Sequence, residues 1–165
     1  EERVSQEPAQ PAGLRDPPIW STIPDPVKIG IFPLRKHAMH PSVSYPRAAD
    51  TPVSHLPFSP AVQVGNLVFV SGQASVDPTG KIVSDTFEGE FRRSVENLRK
   101  VLQSAGCDLA EVVQTRNYVR DAVDLPAFNS LYREYFSAPF PARTTITGCL
   151  TAALRFEIEC IAVSG

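Results

Sequence analysis

Phe140-Pro141-Ala142-Arg143-Thr144-Thr145-Ile146 is the stretch that decides the fold, together with the later run Phe156-Glu157-Ile158-Glu159-Cys160-Ile161. Proline cannot continue a helix and biases the residue before it toward an extended backbone. The chain therefore turns at Pro141 and enters a strand, with Arg143 at the mouth of that strand. The later run predicts a second strand that answers the first.

Arg143 has two interpretations. An unpaired charge is costly to bury, and the planar guanidinium suits bidentate binding of a carboxylate. Arg143 therefore either binds the carboxylate of a ligand or forms a salt bridge with Glu157 or Glu159. The chemistry of the residues leaves both interpretations open.

Length, charge and cysteine content exclude several classes of protein. The chain has 165 residues, 42% of them hydrophobic, which is enough for one domain with a real core. The net charge of −2 and the absence of a long Lys/Arg run argue against direct nucleic-acid binding. The three cysteines, Cys107, Cys149 and Cys160, lack CxxC spacing, so we expect a reducing compartment rather than a disulfide framework or a zinc site.

No apolar run approaches the length of a membrane span, so no membrane association is predicted. The first residue is Glu1 rather than Met, which fits either a shortened chain or a mature form after removal of a targeting segment. If a targeting segment was removed, we expect the protein to lie in the mitochondrion. If the chain was only shortened, we expect it to lie in the cytoplasm.

Prolines set the first part of the chain apart. Residues 1–60 hold twelve of the sixteen prolines, which prevents regular helices and central strands there. Bulky apolar residues such as Trp20 and Ile31 distinguish this segment from a solvated linker. It either wraps its own domain or lies on a partner, and its length favours a partner. We predict a Pro-rich extended segment at 1–55, docked on a large complex, and a folded domain at 56–165.

The three histidines, His37, His40 and His55, lie in or beside this segment. His37 and His40 resemble a metal pair, but no helix supports them and no carboxylate or cysteine accompanies them. We therefore interpret them as surface residues and predict neither a metal nor a cofactor.

Beyond Pro60 the sequence predicts regular structure. Ala61–Val64, the turn Gly65-Asn66 and Leu67–Gly72 indicate a β-hairpin. Asp85 and Glu88 resemble a helix N-cap with its reciprocal partner, and Gly106 provides the stop. The helix between them carries an apolar face comprising Phe87, Phe91, Val95 or Leu98, Val101, Leu102 and Ala105.

A strand and a second helix follow. Glu111–Val119 is β-rich, and Asp121 or Asp124 then caps a helix with Pro126 in its first turn. With the two closing strands the order is ββαβαββ, an α+β domain with both helices on one side of a mixed sheet. The other sheet face is left bare although several of its residues are apolar, so we expect oligomerisation.

These motifs together resemble the RidA/YjgF family. The resemblance covers about residues 56–163 and rests on Val70-Ser71-Gly72-Gln73, Phe128-Asn129-Ser130-Leu131-Tyr132, Phe140-Pro141-Ala142-Arg143-Thr144 and Glu157-Ile158-Glu159-Cys160-Ile161-Ala162, in the family's order. It implies a chorismate-mutase-like fold, a homotrimer with clefts between subunits, and hydrolysis of enamines and imines to 2-keto acids and ammonia without a cofactor.

The resemblance also implies roles for individual residues. Arg143 would clamp the carboxylate of a small ligand, and Glu159 would orient water or relay a proton. The other residues implied to contact substrate are Phe58, Ser71, Gly72, Gln73, Asn129 and Thr145. Ser71-Gly72-Gln73 is expected to form a turn lining the cleft. Phe58 departs from the family pattern, which commonly has a tyrosine there, so a hydroxyl is missing.

Three functions remain open after these observations. The first is an enamine/imine deaminase built on Arg143 and Glu159. The second is a non-catalytic subunit of an organellar assembly such as the mitochondrial ribosome, tethered by residues 1–55, in a trimer of identical or paralogous chains. The third, endoribonuclease, is the family's historical label, and the charge balance argues against it.

Overall fold

The computed structural model describes residues 42–165. Within them lie strands β1 (Val43–Ser44), β2 (Ala61–Val64), β3 (Leu67–Ala74), β4 (Val112–Val119), β5 (Ala142–Thr147) and β6 (Phe156–Val163), and helices α1 (Phe87–Ser104) and α2 (Leu125–Tyr135). From β2 onward the order along the chain is ββαβαββ, so the predicted α+β fold is confirmed. The predictions for residues 1–41, including those for His37 and His40, lie outside the described residues.

β1 lies in the part of the chain that the sequence assigned to the extension. Val43 and Ser44 pair antiparallel with Val64 and Gln63 of β2. Thr51, a little further along, is buried. Residues before position 56 therefore contribute to the sheet and to its packing.

The six strands form one mixed sheet in the order β1-β2-β3-β6-β4-β5. β4 and β5 are parallel, and the other neighbouring pairs are antiparallel. β5 is thus an edge strand, and β4 separates it from β6. The two strands quoted at the outset are not neighbours, which decides how Arg143 is surrounded.

The core lies between one sheet face and the two helices. The apolar face of α1 is buried as predicted, with Phe87, Phe91, Val95, Leu98, Val101 and Leu102 all inaccessible or nearly so. The ring of Phe91 lies 4.6 Å from that of Phe156 on β6 and 6.1 Å from that of Phe128 on α2. Burying one such side chain stabilises the fold by about 1.5–3 kcal/mol.

The predicted cap of α1 is wrong by one residue. Thr86 is the N-cap, and its hydroxyl accepts a hydrogen bond from the amide of Gly89 at 3.2 Å. The Asp85 carboxylate instead accepts from the Thr86 amide and pairs with Arg93. The hydroxyl of the next residue therefore caps the helix. At the other end Gly106 adopts φ 74°, a left-handed conformation that favours glycine. The prediction that Gly106 ends the helix is therefore confirmed.

The start of α2 matches the prediction in position but not in bonding. Asp124 occupies the N-cap position and Pro126 lies in the first turn. The Asp124 side chain makes no capping hydrogen bond, and Asp121 pairs with Arg120. Packing of the buried Phe128 and its neighbours on α2 therefore contributes more to holding this helix than its cap does.

The second face of the sheet has no covering element within residues 42–165. Leu67, Phe69 and Val113 remain 40%, 42% and 47% exposed on their strands. Exposed apolar side chains gathered on one face are typical of an interaction surface. The bare apolar face expected from the sequence is present, and its burial in an oligomer remains a prediction.

Candidate functional site

Arg143 projects on the helix side of the sheet. Parallel pairing places Arg143 of β5 beside Thr115 of β4, and the Thr115 hydroxyl lies 2.9 Å from the Tyr132 hydroxyl of α2. The guanidinium carbon of Arg143 is 5.0 Å from the ring centroid of Phe128 and 4.9 Å from that of Tyr132. Two aromatic faces therefore hold the cation by cation–π attraction.

The N–H groups of Arg143 have no hydrogen-bond or ion-pair partner among residues 42–165. They border a pocket of about 250 Å³, which we call the arginine pocket, lined by Asn129, Tyr132, Arg133, Phe140, Pro141 and Arg143. Arg133 donates to the backbone oxygen of Asn129 at 3.0 Å, which brings a second cation to the same place. The arginine pocket thus offers a fixed, unpaired fork of donors to an anion.

The salt bridge considered for Arg143 is not present in this chain. Glu159 lies opposite Arg116 on the neighbouring strand and accepts a hydrogen bond from its guanidinium at 2.9 Å. Glu157 lies opposite Tyr118, on the same outward face. Arg143 lies on the other face, so neither glutamate reaches it. Of the two interpretations of Arg143, the salt bridge with Glu157 or Glu159 is therefore not formed within one protomer, and ligand binding remains a prediction.

A second pocket lies on that outward side and holds both glutamates. It measures about 280 Å³ and is lined by Phe58, Ser71, Gly72, Glu157 and Glu159. We call it the carboxylate pocket. The register between β3 and β6 shifts between Val70 and Gln73. Ser71-Gly72-Gln73 is therefore an irregularity within β3, not the turn that was expected.

Ser71 ties the loop before β2 to the carboxylate pocket. Its hydroxyl donates to the backbone oxygen of Ser59 at 2.7 Å, and its amide donates to the oxygen of Pro60 at 3.0 Å. These two bonds fix the segment that carries Phe58. The Phe58 ring is consequently held at the pocket wall although it is half-exposed.

Gly72 is required by the close approach of Glu157. A Cβ atom at position 72 would collide with the carboxylate oxygen Oε1 of Glu157. Since a flexible side chain can move away, the collision would displace the carboxylate rather than break the sheet. The glycine thus lets the Glu157 carboxyl lie directly against the backbone of β3.

Glu157 is the candidate site residue that the sequence reasoning missed. Burial raises the pKa of its carboxyl, and the negative charge of Glu159 raises it further. A sequence signal for this existed, because glutamates two residues apart in a strand face the same side and repel each other. Sequence reasoning instead placed a guanidinium beside Glu159, and the structure supplies it from Arg116.

Gln73 and Thr145 line neither the arginine pocket nor the carboxylate pocket. Gln73 is buried, and its side-chain amide donates to the backbone oxygen of Ser71 at 3.0 Å, which supports the irregular part of β3. Thr145 is half-buried on β5 beside Asn117 and does not line the arginine pocket. The structure therefore groups Asn129 with Arg143 and groups Phe58, Ser71 and Gly72 with Glu159.

Other reactive groups of the described chain are less suited to chemistry. Burial raises the pKa of the Cys160 thiol to about 12, which keeps it protonated and poorly nucleophilic at neutral pH. Within residues 42–165 no cluster of three His, Cys, Asp or Glu side chains could hold a metal ion. No helix in that range is both long and apolar enough to span a membrane.

Comparison with known proteins identifies the family. The model for Endoribonuclease L-PSP matches residues 48–164. Reactive Intermediate Deaminase A, chloroplastic, of Arabidopsis thaliana is 39% identical to this chain. The match covers 64% of this chain and 58% of the Arabidopsis protein. The human 2-iminobutanoate/2-iminopropanoate deaminase is 35% identical to this chain. The match covers 71% of this chain and 87% of the human protein.

A solved structure shows the same fold. The crystal structure of E. coli TdcF with bound serine superposes with a TM-score of 0.67 at 28% identity, covering 74% of this chain and 99% of that one. The family match spans both pockets and every strand from β2 onward. The chain therefore belongs to the RidA/YjgF family, as its motifs predicted.

Proposed function

We propose that the protein hydrolyses 2-imino acids, and the enamines that tautomerise to them, to 2-keto acids and ammonia. The observation that carries this proposal is the guanidinium of Arg143, fixed over two rings and unpaired among residues 42–165. Such a fork binds one carboxylate bidentately and so orients the carbon next to it. Support comes from the human relative's name, an iminobutanoate and iminopropanoate deaminase, and from the serine bound to TdcF.

The two pockets require a second copy of the chain to act together. Arg143 lies on the helix side of the sheet, whereas Glu157 and Glu159 lie on its outer side. One small substrate cannot reach both faces of one sheet. The family resemblance implies a homotrimer, in which the arginine pocket of one protomer would meet the carboxylate pocket of the next. The exposed apolar sheet face supports this assembly.

The proposed reaction needs proton transfers that the carboxylate pocket can supply. The oxygen of a water molecule bonds to carbon 2 of the imine, one water proton leaves, and the imine nitrogen gains a proton. In the resulting carbinolamine the hydroxyl group gives up its proton and forms the C=O bond while the C–N bond breaks and the nitrogen takes a second proton, which releases ammonia and leaves the keto group. Glu157 suits these transfers because its raised pKa lets it both donate and accept.

Glu159 has a distinct role in this scheme. Its ion pair with Arg116 fixes the carboxylate beside Glu157. From there it orients the attacking water, and its charge helps keep a proton on Glu157. Phe58 brings no hydroxyl to the pocket, so it takes no part in the proton transfers.

The test is hydrolysis of 2-iminopropanoate, generated in situ by an amino-acid oxidase acting on alanine, by the wild type and by Arg143→Ala. Loss of two charge-assisted hydrogen bonds should lower kcat/KM by roughly 10²–10³-fold. Arg143→Lys should recover only part of the rate because an ammonium cannot bind bidentately.

Arg99→Ala is the control, because Arg99 lies on α1 in surface ion pairs and lines neither pocket. It should retain the wild-type rate. A wild type no faster than buffer, or an Arg143→Ala variant as fast as the wild type, would refute the proposal.

A second candidate is a non-catalytic subunit of a mitochondrial assembly such as the ribosome, held through residues 1–55. The observations that favour it are the proline content of that segment and the missing hydroxyl at Phe58. The chloroplastic Arabidopsis relative shows that an organellar member exists. Sedimentation of the tagged full chain with large particles from mitochondrial extract, lost on deletion of residues 1–41, would support this candidate. Sedimentation as a lone trimer would reject it.

Endoribonuclease activity, which the family model carries in its name, is the weakest of the three candidates. The carboxylate pocket holds two glutamates, which repel a phosphodiester backbone. The chain as a whole carries a net charge of −2. Neither feature supplies the phosphate neutralisation that RNA binding depends on.

A further inference from the structure

An apolar pocket of about 310 Å³ adjoins the carboxylate pocket. Its apolar walls include Val53, Leu56, Phe58, Val76, Ile82 and Leu154. Phe58, Gly72 and Glu157 line both pockets, so the two spaces meet at the carboxyl of Glu157. A ligand acted on by Glu157 therefore lies at the entrance of an apolar space.

The walls of the apolar pocket are held together by backbone contacts. The amide of Val53 donates to the oxygen of Pro78 at 3.2 Å, and Val76 forms an isolated antiparallel bridge with Ile82. A Cβ atom at Gly80 would collide with the carbonyl oxygen of Val53, so the two loops are packed tightly against each other. The pocket is therefore preformed.

The apolar pocket leaves bulky side chains partly open to solvent. Leu56 is 68% exposed and Ile82 is 43% exposed although both line a concave surface. An exposed apolar concavity beside a reactive carboxyl is typical of a ligand subsite. The charged side chains that line the carboxylate pocket, Glu157 and Glu159, are both acidic, and within residues 42–165 only Glu159 is paired with a cation, Arg116, which disfavours a second carboxylate on the ligand.

We propose that the apolar pocket receives the side chain of the substrate, so that the preferred substrates are 2-imino acids with branched or aromatic apolar side chains. This inference rests on the proposed function. The side chain and the imine nitrogen are bonded to the same carbon, so a nitrogen placed at Glu157 directs the side chain into the adjoining space. The carboxylate, the third substituent, points toward the arginine pocket of the neighbouring protomer.

The first experiment compares kcat/KM for the imines generated from leucine, phenylalanine and alanine. Each buried methylene improves binding by about fourfold, and pockets of this kind discriminate by roughly 10–200-fold. The leucine-derived imine should therefore exceed the alanine-derived imine by at least about tenfold in kcat/KM. Equal values, or a preference for the alanine-derived imine, would overturn the inference and leave the proposed function intact.

A matched set of variants tests whether the apolar pocket causes the preference. The double variant Leu56→Ser, Ile82→Ser should lower the ratio of leucine-derived to alanine-derived kcat/KM by about tenfold. Val123→Ser is the control, because Val123 is 83% exposed and lines none of the three pockets. An unchanged ratio in the double variant would overturn the inference. Both kcat/KM values are measured on the same protein preparation. A misfolded fraction therefore lowers both equally and leaves their ratio unchanged.

Binding separates this inference from the catalytic proposal. Calorimetry on the wild type would compare 4-methyl-2-oxopentanoate with pyruvate, the product keto acids of leucine-derived and alanine-derived imines. Binding at least about tenfold tighter for the branched acid supports the subsite even if no imine is hydrolysed, in which case the proposed function alone fails. Equal binding of the two acids rejects the subsite.

Discussion

The arginine pocket and the carboxylate pocket differ in location, charge and protection. Arg143 stands on the edge strand β5, exposed at one side and without a polar partner among residues 42–165. Glu157 stands on the central strand β6, half-buried beside a second glutamate on the opposite sheet face. The cation is held in place by aromatic rings, and the carboxyl is tuned by burial and a like charge.

Within one protomer, this separation keeps the two groups from pairing with each other. A guanidinium beside a carboxylate in one chain would pair with it and lower the carboxyl pKa, which would oppose proton donation. Keeping the two groups on opposite faces leaves Arg143 unpaired within the described chain and lets the pKa of Glu157 rise. The cost is that a single protomer holds only half of the proposed site.

Glu157→Gln should produce the largest effect on the carboxylate side of this comparison. Removing the group that transfers protons should lower kcat by roughly 10²–10⁴-fold while leaving the fold intact, because Gln is isosteric. Steady-state hydrolysis of 2-iminopropanoate measures it. Glu159→Gln is the paired control and should lower kcat by a smaller factor than Glu157→Gln does. A larger loss in Glu159→Gln would reassign the proton transfer to Glu159.

Mixing two inactive variants tests whether the pockets belong to different protomers. Arg143→Ala and Glu157→Gln, co-expressed in equal amounts, should restore activity in about a quarter of the clefts of a randomly assembled trimer, because each intact half comes from half of the chains. The assay is kcat per total protomer for the mixture and for each variant alone. A mixture no more active than its components would show that the two pockets do not share a substrate across an interface.

Gly72→Ala tests whether the Glu157 carboxylate packs directly against the backbone at position 72. The added methyl group pushes aside the Glu157 carboxylate, which is the far end of a flexible side chain, so we expect a loss of at most about 1 kcal/mol in the free energy of unfolding. In a Glu157→Ala background the same change should cost much less, because the colliding group is absent. Urea denaturation of the four proteins of this cycle measures the coupling. Equal costs in both backgrounds would show that the backbone, not the carboxylate, resists the methyl group.

The smallest expected effect is on the pH dependence of stability. Because the Glu157 pKa is raised in the folded chain, the native state binds more protons than the unfolded state above about pH 4, the ordinary range for glutamate. Its contribution therefore lowers the free energy of unfolding as pH rises through the folded pKa. Relative to Glu157→Gln, the wild type should lose stability in urea titrations as the pH is raised from about 4. If the difference in free energy of unfolding between the wild type and Glu157→Gln did not change with pH, the raised pKa of Glu157 would be contradicted.

The elements of the fold were predictable because their signals are local. The hairpin turn at Gly65-Asn66, the apolar stripe of α1 and the break at Pro141 each depend on a few consecutive residues. The cap of α1 was misplaced because Asp85 and Thr86 are both good capping residues, and the choice depended on Arg93, about two turns further on. β1 was missed because a two-residue strand leaves almost no pattern.

The residues of the site were predictable only in part. Arg143, Asn129, Phe58, Ser71 and Gly72 were named from motifs, and each lines one of the pockets. Glu157 was overlooked in favour of Glu159. Both glutamates face outward from β6, and their environments differ only in tertiary contacts such as that of Glu157 with Gly72 and the ion pair of Glu159 with Arg116.

The family and the order of the elements follow from the sequence alone, because proline geometry and apolar periodicity act over short stretches of chain. The role of Arg143 in ligand binding is a prediction from the same stretch, Pro141-Ala142-Arg143. The tertiary structure decided that β4 separates β5 from β6, and with it that Arg143 and the glutamates lie on opposite faces. Strand order depends on contacts between residues far apart in sequence, which no local pattern records. For the same reason, the pairing of Arg116 with Glu159 and the burial that raises the pKa of Glu157 emerge only in the folded chain.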